Sequence, residues 1–77
     1  MKIHLKCFGQ VAEIIGKSEL EIFEVNDTEL LLKKMYTDFS KLKECNFLIS
    51  VNRKLLKEKQ LLNSGDEVAF LPPFAGG

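Results

Sequence analysis

The stretch Asn26-Asp27-Thr28-Glu29-Leu30-Leu31-Leu32-Lys33-Lys34-Met35-Tyr36-Thr37-Asp38-Phe39 carries the long helical pattern on which the fold turns. It opens on a helix-start cluster. Asn26, Asp27 and Thr28 offer side-chain oxygens to the first free backbone amides, and Glu29 sets a carboxylate near the positive end of the helix. Leu32, Met35, Tyr36 and Phe39 then recur at i, i+3, i+4 and i+7, which predicts a helix over residues 28–39 with one apolar stripe and with Lys33, Lys34 and Asp38 facing water. A helix with a single stripe needs one other layer to lie on.

The flanking sequence supplies that layer as strands. Towards the N-terminus, residues 2–8 alternate, with Ile3, Leu5 and Cys7 pointing one way and Lys2, His4 and Lys6 the other, the period of a half-buried strand; Phe8 falls on the polar side. Val11, Ala12, Ile14 and Ile15 then predict a short helix that Gly16 ends. Residues 19–25 are rich in Ile, Phe and Val and read as a second strand, with Glu24 breaking the alternation as at an edge or bulge. Towards the C-terminus, residues 47–51 read as a strand, Asn52-Arg53-Lys54 as a turn, and Leu55-Leu56 as a short return strand. Ser64-Gly65-Asp66 is a further turn signal before a last strand, Glu67 to Leu71, with Val68 and Phe70 inward and Glu67, Ala69 and Leu71 outward. Pro72-Pro73 ends it, since neither can donate to a ladder.

Strand, strand, helix, strand, strand with one main helix implies an α+β fold, a mixed sheet covered on one face. The order fits a β-grasp, or ubiquitin-like, arrangement. In that arrangement the first and last strands lie side by side and parallel, so Phe8 and Leu71 become neighbours on the uncovered face.

At 77 residues the chain reads as a single domain over 1–77, with a globular part over 1–71 and a tail over 72–77. Its composition, 45% hydrophobic and 29% charged, is that of a chain that folds. A domain of this size buries only roughly 60% of the surface of its unfolded chain, which points to a site shared with a partner rather than enclosed. Eleven basic residues balance eleven acidic ones, so no long-range field draws nucleic acid or anionic lipid. The charged start and the absence of any run near the ~20 apolar residues of a membrane span predict a cytoplasmic chain without a membrane partner.

Enzyme motifs are missing: there is no Gly-x-Gly-x-x-Gly, no phosphate-binding loop, no His-Glu-x-x-His and no Gly-x-Ser-x-Gly. Cys7 and Cys45 form neither a Cys-x-x-Cys pair nor a Cys/His cluster and read as ordinary reduced cysteines, with no metal site. Arg53, Lys54, Lys57 and Lys59, interrupted by Glu58, read as solvated surface, as do the carboxylates Glu19, Glu21, Asp66 and Glu67.

The unusual feature is the end, Phe70-Leu71-Pro72-Pro73-Phe74-Ala75-Gly76-Gly77. At a usage of about 7% per position, two terminal glycines arise by chance in roughly 0.5% of chains. The prolines predict an extended exit from the sheet, and six residues at about 3.3 Å each reach roughly 20 Å, enough to enter another protein's active site. Gly76 and Gly77 lack Cβ atoms and suit a narrow channel. A terminal carboxylate is a poor electrophile, but as a mixed anhydride with AMP its acyl carbon is open to a nucleophile. A lysine nucleophile gives conjugation; a persulfide sulfur gives a thiocarboxylate.

Over nearly its whole length the sequence resembles the small-subunit family of molybdopterin synthases, sulfur carriers of the ubiquitin-like superfamily. The resemblance rests on Phe8-Gly9-Gln10-Val11-Ala12-Glu13-Ile14-Ile15-Gly16, on Val51-Asn52, and above all on Leu62 through Gly65-Asp66-Glu67-Val68-Ala69-Phe70-Leu71-Pro72-Pro73-Phe74-Ala75-Gly76-Gly77. It implies that Gly77 is adenylated by a partner activating enzyme using ATP with Mg, then converted to a thiocarboxylate with sulfur from a cysteine desulfurase pathway. It further implies that the tail enters a large synthase subunit in a heterotetramer of two large and two small subunits, where sulfur passes to cyclic pyranopterin monophosphate to build the molybdopterin dithiolene. The catalytic residues would be those of the large subunit, with no cofactor bound by this chain. Phe8, Leu55 and Leu71 match apolar positions the family uses for partner contact, and Pro72, Pro73, Phe74 and Ala75 continue that contact along the tail. Leu55 taken alone reads equally well as core or interface. Ala12 stands where the family often has arginine, which implies a lost or replaced polar contact. Two alternatives share the activated glycine: a thiamin-type sulfur carrier, and a ubiquitin-like modifier attached through Gly77 to lysines.

Overall fold

The computed structural model describes residues 1–76. Five strands form one mixed sheet in the order β2-β1-β5-β3-β4, where β1 is Lys2–Cys7, β2 Glu19–Phe23, β3 Leu48–Val51, β4 Lys54–Leu55 and β5 Glu67–Leu71. A short helix α1 spans Gly9–Ile15 and the main helix α2 spans Thr28–Asp38. The expected α+β arrangement is present, and β1 and β5 run parallel, pairing Leu5 with Val68 and Cys7 with Phe70. The other pairings are antiparallel.

Local chemistry sets the element ends. Asp27 caps α2, its Oδ1 accepting from the Leu30 amide at 2.8 Å. Gly16, at φ 83°, ends α1 in the left-handed conformation that glycine adopts without a Cβ penalty. Glu24 also sits at φ 60°, which stops β2 where the alternation breaks and leaves β2 at the sheet edge as expected.

The core is the inward row of each strand against α1 and α2. Ile3, Leu5, Val68, Phe70, Leu31 and Leu42 are fully buried, with Cys7, Val11 and Met35 nearly so. Leu32, Tyr36 and Phe39 are only partly buried, so the stripe read from the sequence is one flank of the buried face and its centre runs through Thr28, Leu31 and Met35. The difference arises because α2 lies obliquely covered on one side: a 3-10 turn over Ser40–Glu44 tucks Leu42 beneath it, a burial no periodicity of α2 encodes. Phe47 packs on Phe70 with ring centroids 4.7 Å apart.

The irregular stretch before β5 is tied down by polar contacts. Thr28 and Gln60 exchange hydrogen bonds, the Thr28 amide to the Gln60 carbonyl at 3.0 Å and the Gln60 amide to Thr28 Oγ1 at 3.1 Å. Asn52, at φ 50°, uses its whole side chain: Nδ2 donates to Asp66 Oδ1 at 3.1 Å and Oδ1 accepts from the Glu67 amide at 3.0 Å. Asp66 Oδ2 in turn accepts from the Asn63 amide at 2.8 Å. This clasp locks the β3–β4 turn to the start of β5.

Leu31→Ala should lower stability by about 2–5 kcal/mol, the range for a leucine removed from a closed core, read from denaturant midpoints at constant slope. Asn52→Ala should cost about 1–2 kcal/mol through lost hydrogen bonds and an alanine forced to positive φ, whereas Asn52→Gly should recover part of that loss.

Candidate functional site

The uncovered face of the sheet is built by the residues that alternate away from the core. One row crosses four strands, Lys6 beside Ala69 beside Ser50 beside Leu55. In the next row Leu71 pairs with Leu48. Phe8 follows Cys7 out of β1, and its amide donates to the Phe70 carbonyl at 3.1 Å, which holds it alongside Leu71. Phe8, Leu55 and Leu71 thus line one groove of about 440 Å³ with Lys6, Ser50, Arg53, Glu67, Ala69 and Ala75.

Exposure separates the roles. Phe8 and Leu55 are each 45% exposed, and what sets them apart from other exposed apolar residues such as Leu61 is that they share one groove with Leu71. Leu55, which alone read equally as core or interface, lies on the surface. Leu71 is half-buried, and Ala69 is buried although it faces outward, because its small side chain sits between those of Lys6 and Ser50. The groove wall therefore keeps its shape without a partner. Lys6 and Glu67 neutralise each other across it, Nζ to Oε2 at 3.4 Å.

The tail begins at this groove. Gly9, at φ 59°, lies against Pro72, and a Cβ at Gly9 would come within 3.2 Å of Pro72 Cγ. Close approach of the β1–α1 corner thus seats the first proline as it leaves β5. The expected extended run over 72–77 is corrected beyond Pro72: Pro73–Gly76 coil into a 3-10 turn closed by the Ala75 amide on the Pro72 carbonyl at 3.0 Å. Proline fixes φ near −65°, a value shared by extended chain and by the second position of a tight turn, so Pro73 permits both. Ala75 is brought back to the groove while Phe74 stands 79% exposed. Gly77, the residue expected to carry the chemistry, lies outside the described residues, and Gly76 is the last of the turn.

Burial pushes the Cys7 thiol up to about 11, so it stays protonated and is no nucleophile. Cys45 donates weakly to Gln10 Oε1 at 3.6 Å, and both cysteines are free. Among the described residues no cluster of His, Cys, Asp or Glu could hold a metal ion, and no helix is long and apolar enough to cross a membrane. Arg53, Lys54, Lys57 and Lys59 are exposed, and only Lys59 is paired among the described residues, to Asp27 and Glu29. Missing from the sequence reading were Gly9, Lys6, Ser50, Glu67 and Arg53 as parts of the site. The first was quoted only within a motif; the others follow from strand register, which alternation gives only once the strand order is known.

Residues 5–77 match the ThiS family. The chain is 33% identical to the molybdopterin synthase sulfur carrier subunit of Chlamydomonas reinhardtii, covering all of both chains. It is 35% identical to that of Dictyostelium discoideum, over 91% of this chain and 90% of the relative. Among solved structures, the complex of subunits 1 and 2 of molybdopterin-converting factor from Helicobacter pylori aligns with a TM-score of 0.73 at 28% identity over the whole of both chains. The putative molybdopterin converting factor subunit 1 from Pyrococcus furiosus shares the fold at a TM-score of 0.87 and 24% identity, covering 95% of this chain and 98% of that one. Small archaeal modifier protein 1 from Methanosarcina acetivorans shares it at 0.81 and 21%, covering 99% and 96%. With an open-faced ubiquitin-like sheet, an apolar groove at the root of the tail and matches that run through the terminal glycines, the chain belongs to the ThiS family.

Proposed function

We propose that this chain is the sulfur carrier subunit of a molybdopterin synthase, with the sulfur held as a thiocarboxylate on Gly77. The observation that carries the reading is the coincidence, on one face, of the groove formed by Phe8, Leu55 and Leu71 with the point where the Gly76-Gly77 tail leaves the sheet. A protein that fills the groove thereby receives the terminus. The large synthase subunit is the natural occupant, a reading supported by the whole-chain likeness to a structure of two molybdopterin-converting subunits in complex. The full assembly is two large and two small subunits.

The chemistry needs nothing from the globular part except presentation. An oxygen of the terminal carboxylate attacks the α-phosphorus of ATP in an activating enzyme that holds the Mg ion, and pyrophosphate leaves. The persulfide of a cysteine desulfurase then adds to the acyl carbon and AMP departs, and a thiol reductant cleaves the S–S bond of the resulting acyl disulfide, which frees the thiocarboxylate as the thiols are oxidised to a disulfide. In the large subunit the thiocarboxylate sulfur forms a C–S bond to a side-chain carbon of cyclic pyranopterin monophosphate as a C–O bond of that carbon breaks, water hydrolyses the acyl–sulfur bond and returns the carboxylate, and a second loaded carrier supplies the other sulfur. No side chain of this protein takes a proton in these steps. The tail must uncoil to extend: the turn includes the bond from the Ala75 amide to the Pro72 carbonyl, and backbone bonds of this kind are worth only about 1 kcal/mol net each, so a partner draws the tail out at small cost. Gly76 and Gly77 then fit a channel too narrow for any side chain.

The same acyl-adenylate offered to lysines would make the chain a modifier. The likeness to the archaeal modifier protein, at 21% identity, concerns the fold, whereas the relatives at 33% and 35% are sulfur carriers, and this favours the carrier reading.

Incubation with the activating enzyme, ATP and a sulfur source should replace one oxygen by sulfur at the C-terminus, read by intact mass. Deleting Gly77, or adding one residue after it, should abolish sulfur transfer while leaving the melting transition unchanged; normal synthase activity in either variant would overturn the assignment. Leu71→Asp should weaken association with the large subunit at least tenfold while keeping a cooperative melt, because Leu71 lines the groove and not the core. Loss of the melt would instead place Leu71 in the core.

A further inference from the structure

Arg53 is the residue whose position the fold does not explain. The β3–β4 hairpin turns in two residues, Asn52 at φ 50° and Arg53 at φ 70°, the positive-φ pair of a type I′ turn between the partnered Val51 and Lys54. Such turns favour asparagine at the first position and glycine at the second. Asn52 meets that preference and is rewarded by its clasp on Asp66 and Glu67. Arg53 does not: an L side chain in this conformation costs about 1 kcal/mol against glycine, and no hydrogen bond or ion pair of Arg53 to any described residue returns it.

The groove shows what the strained residue meets. Arg53 lines it together with Phe8, Leu55 and Leu71. Among the described residues the other two charges there, Lys6 and Glu67, pair at 3.4 Å, so Arg53 is the remaining charge of the described lining, beside an apolar floor. A guanidinium takes a carboxylate through two parallel N–H donors, and at a desolvated rim such a pair fixes orientation as well as attracting.

We infer that Arg53 is a partner-recognition residue, held at positive φ to pair with a carboxylate on the protein that fills the groove. The occupant is the large synthase subunit, so the inference rests on the proposed function; it adds that this subunit presents an apolar contact to Phe8, Leu55 and Leu71 with an Asp or Glu beside it.

The test measures binding of the complete carrier to its large subunit by calorimetry at two salt concentrations, beside thermal melts. Arg53→Gly should melt at a higher temperature than the parent, because the turn relaxes, yet bind about 10-fold more weakly with a shallower salt dependence. Arg53→Glu should bind more weakly still, and Arg53→Lys should fall between parent and glycine variant. Parent binding together with equal affinity and equal salt dependence in Arg53→Gly would overturn this inference and leave the proposed function standing. Absence of any binding by the parent would overturn both.

Discussion

The parallel pairing of β1 with β5 is the constraint from which the rest follows. It joins the two ends of the chain across the middle of the sheet, so Cys7 lies beside Phe70 and the residues that leave the ladder, Phe8 and Leu71, emerge together. Parallel neighbours need a long crossover, and everything between residues 8 and 66 serves as that crossover, with α2 covering one face on the way. The tail therefore departs from the central strand of the sheet, which is paired on both edges. A loosely held exit would spread the reach of the terminus over many directions.

The two faces of the sheet divide the labour. One is sealed by Leu31, Met35 and Leu42 against Ile3, Leu5, Val68 and Phe70. The other is left open and is kept soluble by pairing its charges: Lys2 Nζ lies 2.9 Å from Glu21 Oε2, a bond that holds the Glu21 carboxyl below the usual range, and Lys6 answers Glu67. Exposed pairs of this kind contribute little to stability. Their effect is to leave the apolar patch of Phe8, Leu55 and Leu71 as the part of the face that gains most from being covered.

On the proposed reading, a reactive group on the backbone terminus relieves the fold of the usual demands of an active site. No buried acid, shifted histidine or metal cradle is required, which suits a domain too small to enclose one. The Cys7 thiol, the nucleophile a first reading would consider, is spent on the core. What the fold must supply is a surface to be recognised by, a fixed exit and a tail able to change length. Gly9 beneath Pro72 provides the exit, and the short turn at Pro73–Gly76 allows the change.

Much of this was legible before any coordinates. Alternation in residues 2–7 and 67–71, the Asp27 cap, the Gly16 stop and the turn at Asn52-Arg53 are local signals, each written within a few neighbouring residues, and they determined the elements, whose succession fits a β-grasp. The terminal glycines and their prolines likewise pointed to the end on which the proposed function rests. Tertiary structure alone decided which side of α2 is deepest, because Leu42 arrives from outside the helix. It alone put Arg53 into one groove with Phe8, Leu55 and Leu71, and coiled the tail back to that groove. The reason is physical: a side chain's spacing along the chain reports the face it shares with near neighbours, whereas contacts across strands depend on register and closure between segments that the sequence separates by dozens of residues.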